Sequence, residues 1–234
     1  MATPPSRPDR ASNALAGVDE AGRGCLAGPV VAAAVMLPES WDLPGLDDSK
    51  KVPPRKRFIL EKRIKDCAVA WGLGVVWPKD IDRLNILRAS LVAMASAVST
   101  MKKEPTLLLI DGNKTIPASE LSRRWNGKFK SPIPDQLAII GGDALEPSIS
   151  AASILAKTFR DRLMIALDKI WPGYGFATHK GYGVKRHIEA LRDLGPSPMH
   201  RLTFARVRPE ESRARSLSLF PLRDGASSSG GAYS

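Results

Sequence analysis

The chain has 234 residues, a hydrophobic content of 43% and a formal net charge of +11. That is enough for one ordinary globular domain with tails, and the charge favours a polyanionic partner, nucleic acid first. No apolar run approaches membrane-spanning length, and the N-terminal Met1-Ala2-Thr3-Pro4-Pro5-Ser6-Arg7-Pro8 has no signal core. Cys25 and Cys67 form neither a CxxC pair nor a disulfide framework. The expected setting is therefore the reducing cytoplasm, away from any membrane.

Residues 1–12, rich in Pro, Arg and Ser, read as a disordered tail. A strand is expected from Ala14 to Glu20, broken by Gly22-Arg23-Gly24, and a second from Pro29 to Leu37. The polar loop Asp47-Asp48-Ser49-Lys50-Lys51 precedes a helix over 54–65, and Ala68 to Val76 reads as a strand broken up by Gly72 and Gly74. Leu87, Leu91, Met94, Val98 and Met101 recur at steps of four and three, which predicts a helix burying that face. Thr106 to Ile110 is a continuous apolar run, as expected of a strand buried on both faces, and it ends at Asp111-Gly112-Asn113.

A short strand over 137–140 leads into Gly141-Gly142-Asp143. Helices follow over 147–170, with Pro147 in the first turn, and over 184–194. From about residue 208 the chain turns to Arg, Ser and Gly and reads as a flexible tail. Strands first, then helices alternating with strands, predict an α/β fold with a mixed sheet and helices on its faces.

Asp19, Glu20, Asp111 and Asp143 share one local context, at or just beyond the end of an apolar strand-like run with glycine close by. Taken singly, each is more simply a turn residue or helix cap; Asp143 has the position to cap the helix beginning near Pro147. Together, on neighbouring strand ends of a basic chain, four carboxylates repel one another unless cations neutralise them. Hard oxygen ligands of this kind suit Mg²⁺ or Mn²⁺.

The segment Leu121-Ser122-Arg123-Arg124-Trp125-Asn126-Gly127-Lys128-Phe129-Lys130 mixes basic and aromatic residues. It reads equally as a nucleic-acid clamp or as a surface hairpin whose Trp125 and Phe129 pack back on the body. His179, His187 and His200 are far apart in sequence and form no metal set with cysteine, so a packing or surface role is expected.

Five segments in order resemble type 2 ribonuclease H, the bacterial ribonuclease HII family. They are Gly17 to Gly24 with Ala27-Gly28-Pro29-Val30-Val31; Asp48-Ser49-Lys50-Lys51; Ile110-Asp111-Gly112-Asn113; Ser150 to Lys157; and His179-Lys180-Gly181-Tyr182. The resemblance covers roughly residues 14 to 206 and implies a catalytic domain over 13–207. It also implies a ribonuclease H-like mixed sheet flanked by helices, with a C-terminal helical extension.

The activity it implies is hydrolysis on the 5′ side of a ribonucleotide, in RNA–DNA hybrid or embedded in duplex DNA, leaving a 3′-hydroxyl and a 5′-phosphate. Family members usually act as monomers. Carried over by motif, Asp19, Glu20, Asp111 and Asp143 are the metal-binding acids of a two-metal mechanism. Gly22, Arg23, Gly24 and Tyr182 resemble the family's reader of the RNA–DNA junction, with the turn meeting the 2′-hydroxyl. Lys50, Lys51, Asn113, Ser153, Lys157 and Lys180 are candidate phosphate contacts.

Two features depart from the family pattern. Gly142 stands where a lysine is more usual, and the span from Asp111 to Asp143 is longer. Asp161 is the alternative acid to Asp143, although pairing with a neighbouring arginine is the simpler role for it. A non-catalytic nucleic-acid binder and a junction resolvase of the same fold are the competing functions. The binder makes the acids turns and caps, and the resolvase shares the carboxylates but gives no reason for the Gly-Arg-Gly turn together with Tyr182.

Overall fold

A computed structural model describes residues 14–46, 52–125, 128 and 131–208. The 1–12 tail, the loop with Lys50 and Lys51, Phe129, and the C-terminal tail beyond residue 208 lie outside the described residues. β1 (Leu15–Ala21) and β2 (Val30–Met36) form the hairpin that begins the fold, and α1 (Pro54–Cys67) crosses to β3 (Ala70–Val76). Then come α2 (Pro78–Leu84), α3 (Ile86–Thr100), β4 (Leu107–Asp111), α4 (Ala118–Trp125) and β5 (Asp135–Ile139). α5 (Gly142–Leu145), α6 (Pro147–Ile170), α7 (Phe176–His179) and α8 (Lys185–Leu194) complete it.

The five strands run in the order β3-β2-β1-β4-β5. β1–β2 and β2–β3 are antiparallel, whereas β1–β4 and β4–β5 are parallel, with Val18 opposite Ile110. The expected mixed sheet is present. Because β1 and β4 are parallel neighbours, their C-terminal ends come out at the same edge of the sheet, where α/β folds build their sites.

The sheet is buried on both faces. On one side Val31, Ala33 and Val35 pack with Leu60 and Ile64 of α1 and Ala151, Ala152, Ile154 and Leu155 of α6. On the other, Ala16, Val18, Val30, Ala32 and Ala34 pack against Ala89, Ala93, Met94, Ala97 and Val98 of α3. No helix among the described residues is long and apolar enough to cross a membrane.

Of the face expected of α3, Met94, Val98 and Met101 are buried and Leu91 packs against the core, while its first residue is the exception. Leu87 is 41% exposed, and the helix instead turns Ala89, Ala93 and Ala97 to the sheet, with Met94 and Val98 beside them. Gly72 and Gly74 are the reason. A Cβ on Gly74 would lie 2.0 Å from the Ala93 carbonyl oxygen, and one on Gly72 would lie 2.1 Å from that of Ala97. The glycines that interrupt β3 are the sites where α3 comes closest, so small residues win the contact from the larger leucine.

The 121–130 segment is likewise no hairpin at its start. Ala118–Trp125 is helical, Trp125 is buried in the α3-side core and its indole N–H donates to Ser131 O at 2.8 Å. Arg123 and Arg124 reach Glu120 at 2.8 and 2.7 Å. Trp125 is therefore unavailable for stacking on bases. Ion-paired arginines on a short helix are the ordinary structural use of such a mixture.

Candidate active site

The ends of β1 and β4, the first half of α6 and the loop after α7 enclose a cavity of about 230 Å³. Asp19, Glu20, Asp111, Gly22, Arg57, Ser153, Lys157 and Tyr182 are among the residues lining it. Asp19 extends from β1 toward α6, where it is 5% exposed and accepts a hydrogen bond from Ser153. Burial first, and then the neighbouring Glu20 and Asp111 carboxylates, push its carboxyl well above the ordinary range. Burial also raises Glu20, against the pull of Arg23, whose guanidinium reaches it at 3.2 Å. Two carboxylates repelling a third in a desolvated cleft favour a proton or a cation there.

Among the described residues, no group of three or more His, Cys, Asp or Glu side chains is already disposed around a point as a bound metal needs. Glu20 is turned to Arg23 instead. The donors are nevertheless of the right kind, three carboxylates on one small cavity, which fits a hard divalent cation. Asp143 stands outside that lining. It is buried on α5, and its carbonyl accepts from the Ser150 hydroxyl. Its neighbour Gly142 lies against Asp111: a Cβ on Gly142 would be 3.4 Å from Asp111 Oδ1. Asp161 takes the structural role, bonded to Lys157 at 2.6 Å and to Arg57 at 3.6 Å.

The remaining residues named from sequence fall unevenly around the site. Lys157 lines the cavity, with its ammonium 6.0 Å from the centre of the Tyr182 ring. Ser153 bonds Asp19. Asn113 is exposed on the loop after β4. The Lys180 ammonium folds back onto the Ala177 carbonyl. Arg57 is on the cavity wall with no motif to announce it. A lone arginine in the basic run of α1 carries no signal of its own.

The turn after β1 is built on buried arginines that sequence reasoning also passed over. Gly22 has φ +95°, and a Cβ there would sit 2.0 Å from Arg160 Nε. Arg160 donates to the carbonyls of Pro29, Lys180 and Ala27 at 2.9, 2.9 and 3.1 Å. Arg201 donates to those of Gly22, Arg23 and Gly28 at 2.7, 2.8 and 2.9 Å. Gly24 differs from its neighbours. A Cβ on it would have nothing within 4 Å, so its bare backbone faces open space. The Tyr182 hydroxyl side is fixed by a hydrogen bond with Cys25.

The three histidines, remote in sequence, come together beside this turn. His179 and His187 stack at 4.4 Å, and His187 Nε2 is 3.0 Å from His200 Nε2. His187 Nδ1 must donate to the Tyr182 carbonyl at 2.9 Å, and His200 Nδ1 accepts from Ser197 N–H at 2.9 Å. The shared contact then has one consistent form, in which His200 Nε2–H donates to a neutral His187. A second proton on either ring would break a bond. Burial accordingly pushes His187 down, and it pushes His200 down from 6.5 to about 4.

Between those values the unfolded chain binds more protons than the folded one. Stability from His200 is therefore complete above about pH 6.5 and lost as pH falls toward 4, a loss of about 3 kcal/mol. Urea melts of the wild type and of His200→Gln should differ by that much less at pH 4.5 than at pH 7.5. A gap between the two proteins that stays constant with pH would remove this account.

Comparison with known proteins agrees with the geometry. The ribonuclease HII family matches residues 16–207. Over 206 residues the chain is 56% identical to the ribonuclease HII of Nitratidesulfovibrio vulgaris, spanning 88% of this chain and 92% of that one. Among solved structures it is similar to the ribonuclease H2 from Pyrococcus horikoshii OT3, with a TM-score of 0.69, 27% identity, and coverage of 86% and 98% of the two chains. It shares its fold with Bst-RNase HIII in complex with Mn²⁺, at a TM-score of 0.58 and 18% identity over 86% and 70% of the two chains. A family match over most of its length, and more than half identity to such a relative, place this chain in the ribonuclease HII family of hydrolytic endoribonucleases.

Proposed function

We propose that the chain cuts RNA–DNA hybrids, and duplex DNA containing ribonucleotides, on the 5′ side of the ribonucleotide. It would act as a monomer and depend on Mg²⁺ or Mn²⁺. The observation that carries this is the single cavity shared by Asp19, Glu20 and Asp111 with Gly22 and Tyr182. Acids that can hold a cation and groups that can meet a sugar line the same small space. Asp19, Glu20 and Asp111 would be ligands, and Asp143 would join them from α5 beside Asp111.

When bound, two such cations supply an activated water and neutralise charge on the leaving 3′-oxygen. The chain's own residues prepare for that. The Ser153 hydroxyl orients Asp19. Glu20, held by the Arg23 guanidinium at 3.2 Å, would be a ligand once a cation competes with that ion pair, and Arg23 would then be able to meet the substrate backbone. Lys157 and Arg57, which line the cavity beside Asp161, would meet the phosphates flanking the cut.

Gly24 presents backbone without a side chain, as close approach to a 2′-hydroxyl requires. Tyr182 is 44% exposed and would stack on the next sugar. Lys50, Lys51, Asn113 and Lys180 remain candidate contacts along the flanking duplex.

The test is a duplex DNA with one embedded ribonucleotide. Expected is a nick immediately 5′ to that residue with Mg²⁺ or Mn²⁺ and none in EDTA. Equal cutting of all-DNA duplex, or no cutting with either metal at micromolar protein, would refute the reading. Preferential cutting of a four-way junction would favour a resolvase.

A further inference from the structure

Arg160 and Arg201 are both fully buried, and they spend their donors on main-chain carbonyls rather than on carboxylates. Removing a guanidinium from water costs several kcal/mol, and an apolar side chain of similar size often serves stability as well. Their cost is explained better by what they hold in place. Arg201 grips both carbonyls at the start of the turn, Gly22 and Arg23, and also that of Gly28, where the turn ends.

The residue before it continues the connection. His200 pairs with Ala27 as an isolated antiparallel bridge and bonds His187, which in turn holds the Tyr182 carbonyl. Main-chain bonds run alongside, from Leu26 N–H to Gly181 O at 2.8 Å and from Gly28 N–H to Met199 O at 2.8 Å. Just past Arg201, the Asp82 carboxylate of α2 accepts from the main-chain N–H of Leu202 and of Thr203, at 2.9 and 3.0 Å. Two consecutive residues thus reach the two parts of the cavity wall that come from opposite ends of the chain.

We propose that His200-Arg201 is a positioning pair for sugar recognition. Arg201 sets the Gly22-Arg23-Gly24 backbone, His200 sets Tyr182 through His187, and Asp82 anchors the pair to the body. The separation of turn and tyrosine, and with it the phosphate that is cut, is then set by these two residues acting beside Arg160 and the Leu26–Gly181 main-chain bond. This rests on the proposed reading that the turn and Tyr182 meet the sugar.

The measurement is the position of the nick, mapped at nucleotide resolution on a duplex with one ribonucleotide, together with kcat and KM. Arg201→Lys keeps the charge, but one ammonium cannot serve three carbonyls in a plane. It should lower kcat/KM by roughly tenfold to a hundredfold, as ångström-scale misplacement does, and spread cuts to neighbouring phosphates. Simple loss of folded enzyme would lower the rate without moving the cut. Asp82→Ala changes a partly exposed residue and should displace cuts in the same way but less, so it decides the matter if Arg201→Lys does not fold.

Gly24→Ala separates the two levels of inference. If Gly24→Ala displaces cuts while Arg201→Lys and Asp82→Ala cut only at the wild-type position, the positioning role is overturned and the reading turn stands. If Gly24→Ala also leaves position and rate unchanged, the reading turn itself is wrong and the positioning role falls with it.

Discussion

Asp19→Asn should lower turnover on a single-ribonucleotide duplex by roughly 10²–10³-fold or more while leaving the duplex as tightly bound as before, or tighter. Asp19 is the most enclosed of the cavity acids and the one raised by burial together with both Glu20 and Asp111. Asparagine keeps the shape and can still accept from Ser153, so folding should survive. It removes the charge a divalent cation would need, and it also removes negative charge facing the substrate phosphates. Activity and binding should therefore move apart. Fluorescence anisotropy with an uncleavable DNA duplex in EDTA, beside single-turnover cleavage with Mg²⁺, reads both. Near-normal cleavage would return Asp19 to a capping or turn role. Loss of binding in parallel with cleavage would mean that the substitution damages the fold.

The site was legible from sequence to the extent that it lies on regular strand ends. The apolar runs before Asp19 and Asp111 predict two strands. Their parallel pairing then brings the acids together without further information. Asp143 was harder, because it sits on a four-residue helix after β5, an edge strand whose following residue Ile140 is 78% exposed. Neither burial nor periodicity marks its orientation.

The alanine side of α3 was illegible for a related reason, although Met94, Val98 and Met101 of the expected face are buried. Hydrophobic spacing weighs Leu87 above Ala93, while contact with Gly72 and Gly74 rewards the absence of a side chain. Arg160, Arg201 and the histidine cluster were invisible in principle. Their partners lie over 100 residues away or across a loop, and a buried arginine looks in sequence like any surface arginine.

Gly17→Ala should be among the most damaging single-methyl changes in the molecule, lowering stability by about 3 kcal/mol and the melting temperature by roughly 6–12 °C. A Cβ on Gly17 would lie 2.1 Å from the Ser148 carbonyl carbon and 2.3 Å from Ile149 N. Both are backbone atoms in the first turn of α6, so no side-chain rotation relieves the overlap, and β1 and α6 must move apart. Gly17 and Asp19 lie two apart on one strand and so face the same side, toward α6. The separation that Gly17 permits is therefore the one across which Ser153 bonds Asp19. Activity at 15 °C, where the variant is still folded, should fall as well, and cleavage should need more metal for half-maximal rate. Gly24→Ala is the matched control for stability, since a Cβ there meets nothing within 4 Å and should leave the melting temperature unchanged. If Gly17→Ala melts early yet cleaves normally in the cold at the same metal concentration, the strand–helix separation governs folding alone. If it melts with the wild type, α6 yields more readily than a helix start wedged against a central strand should.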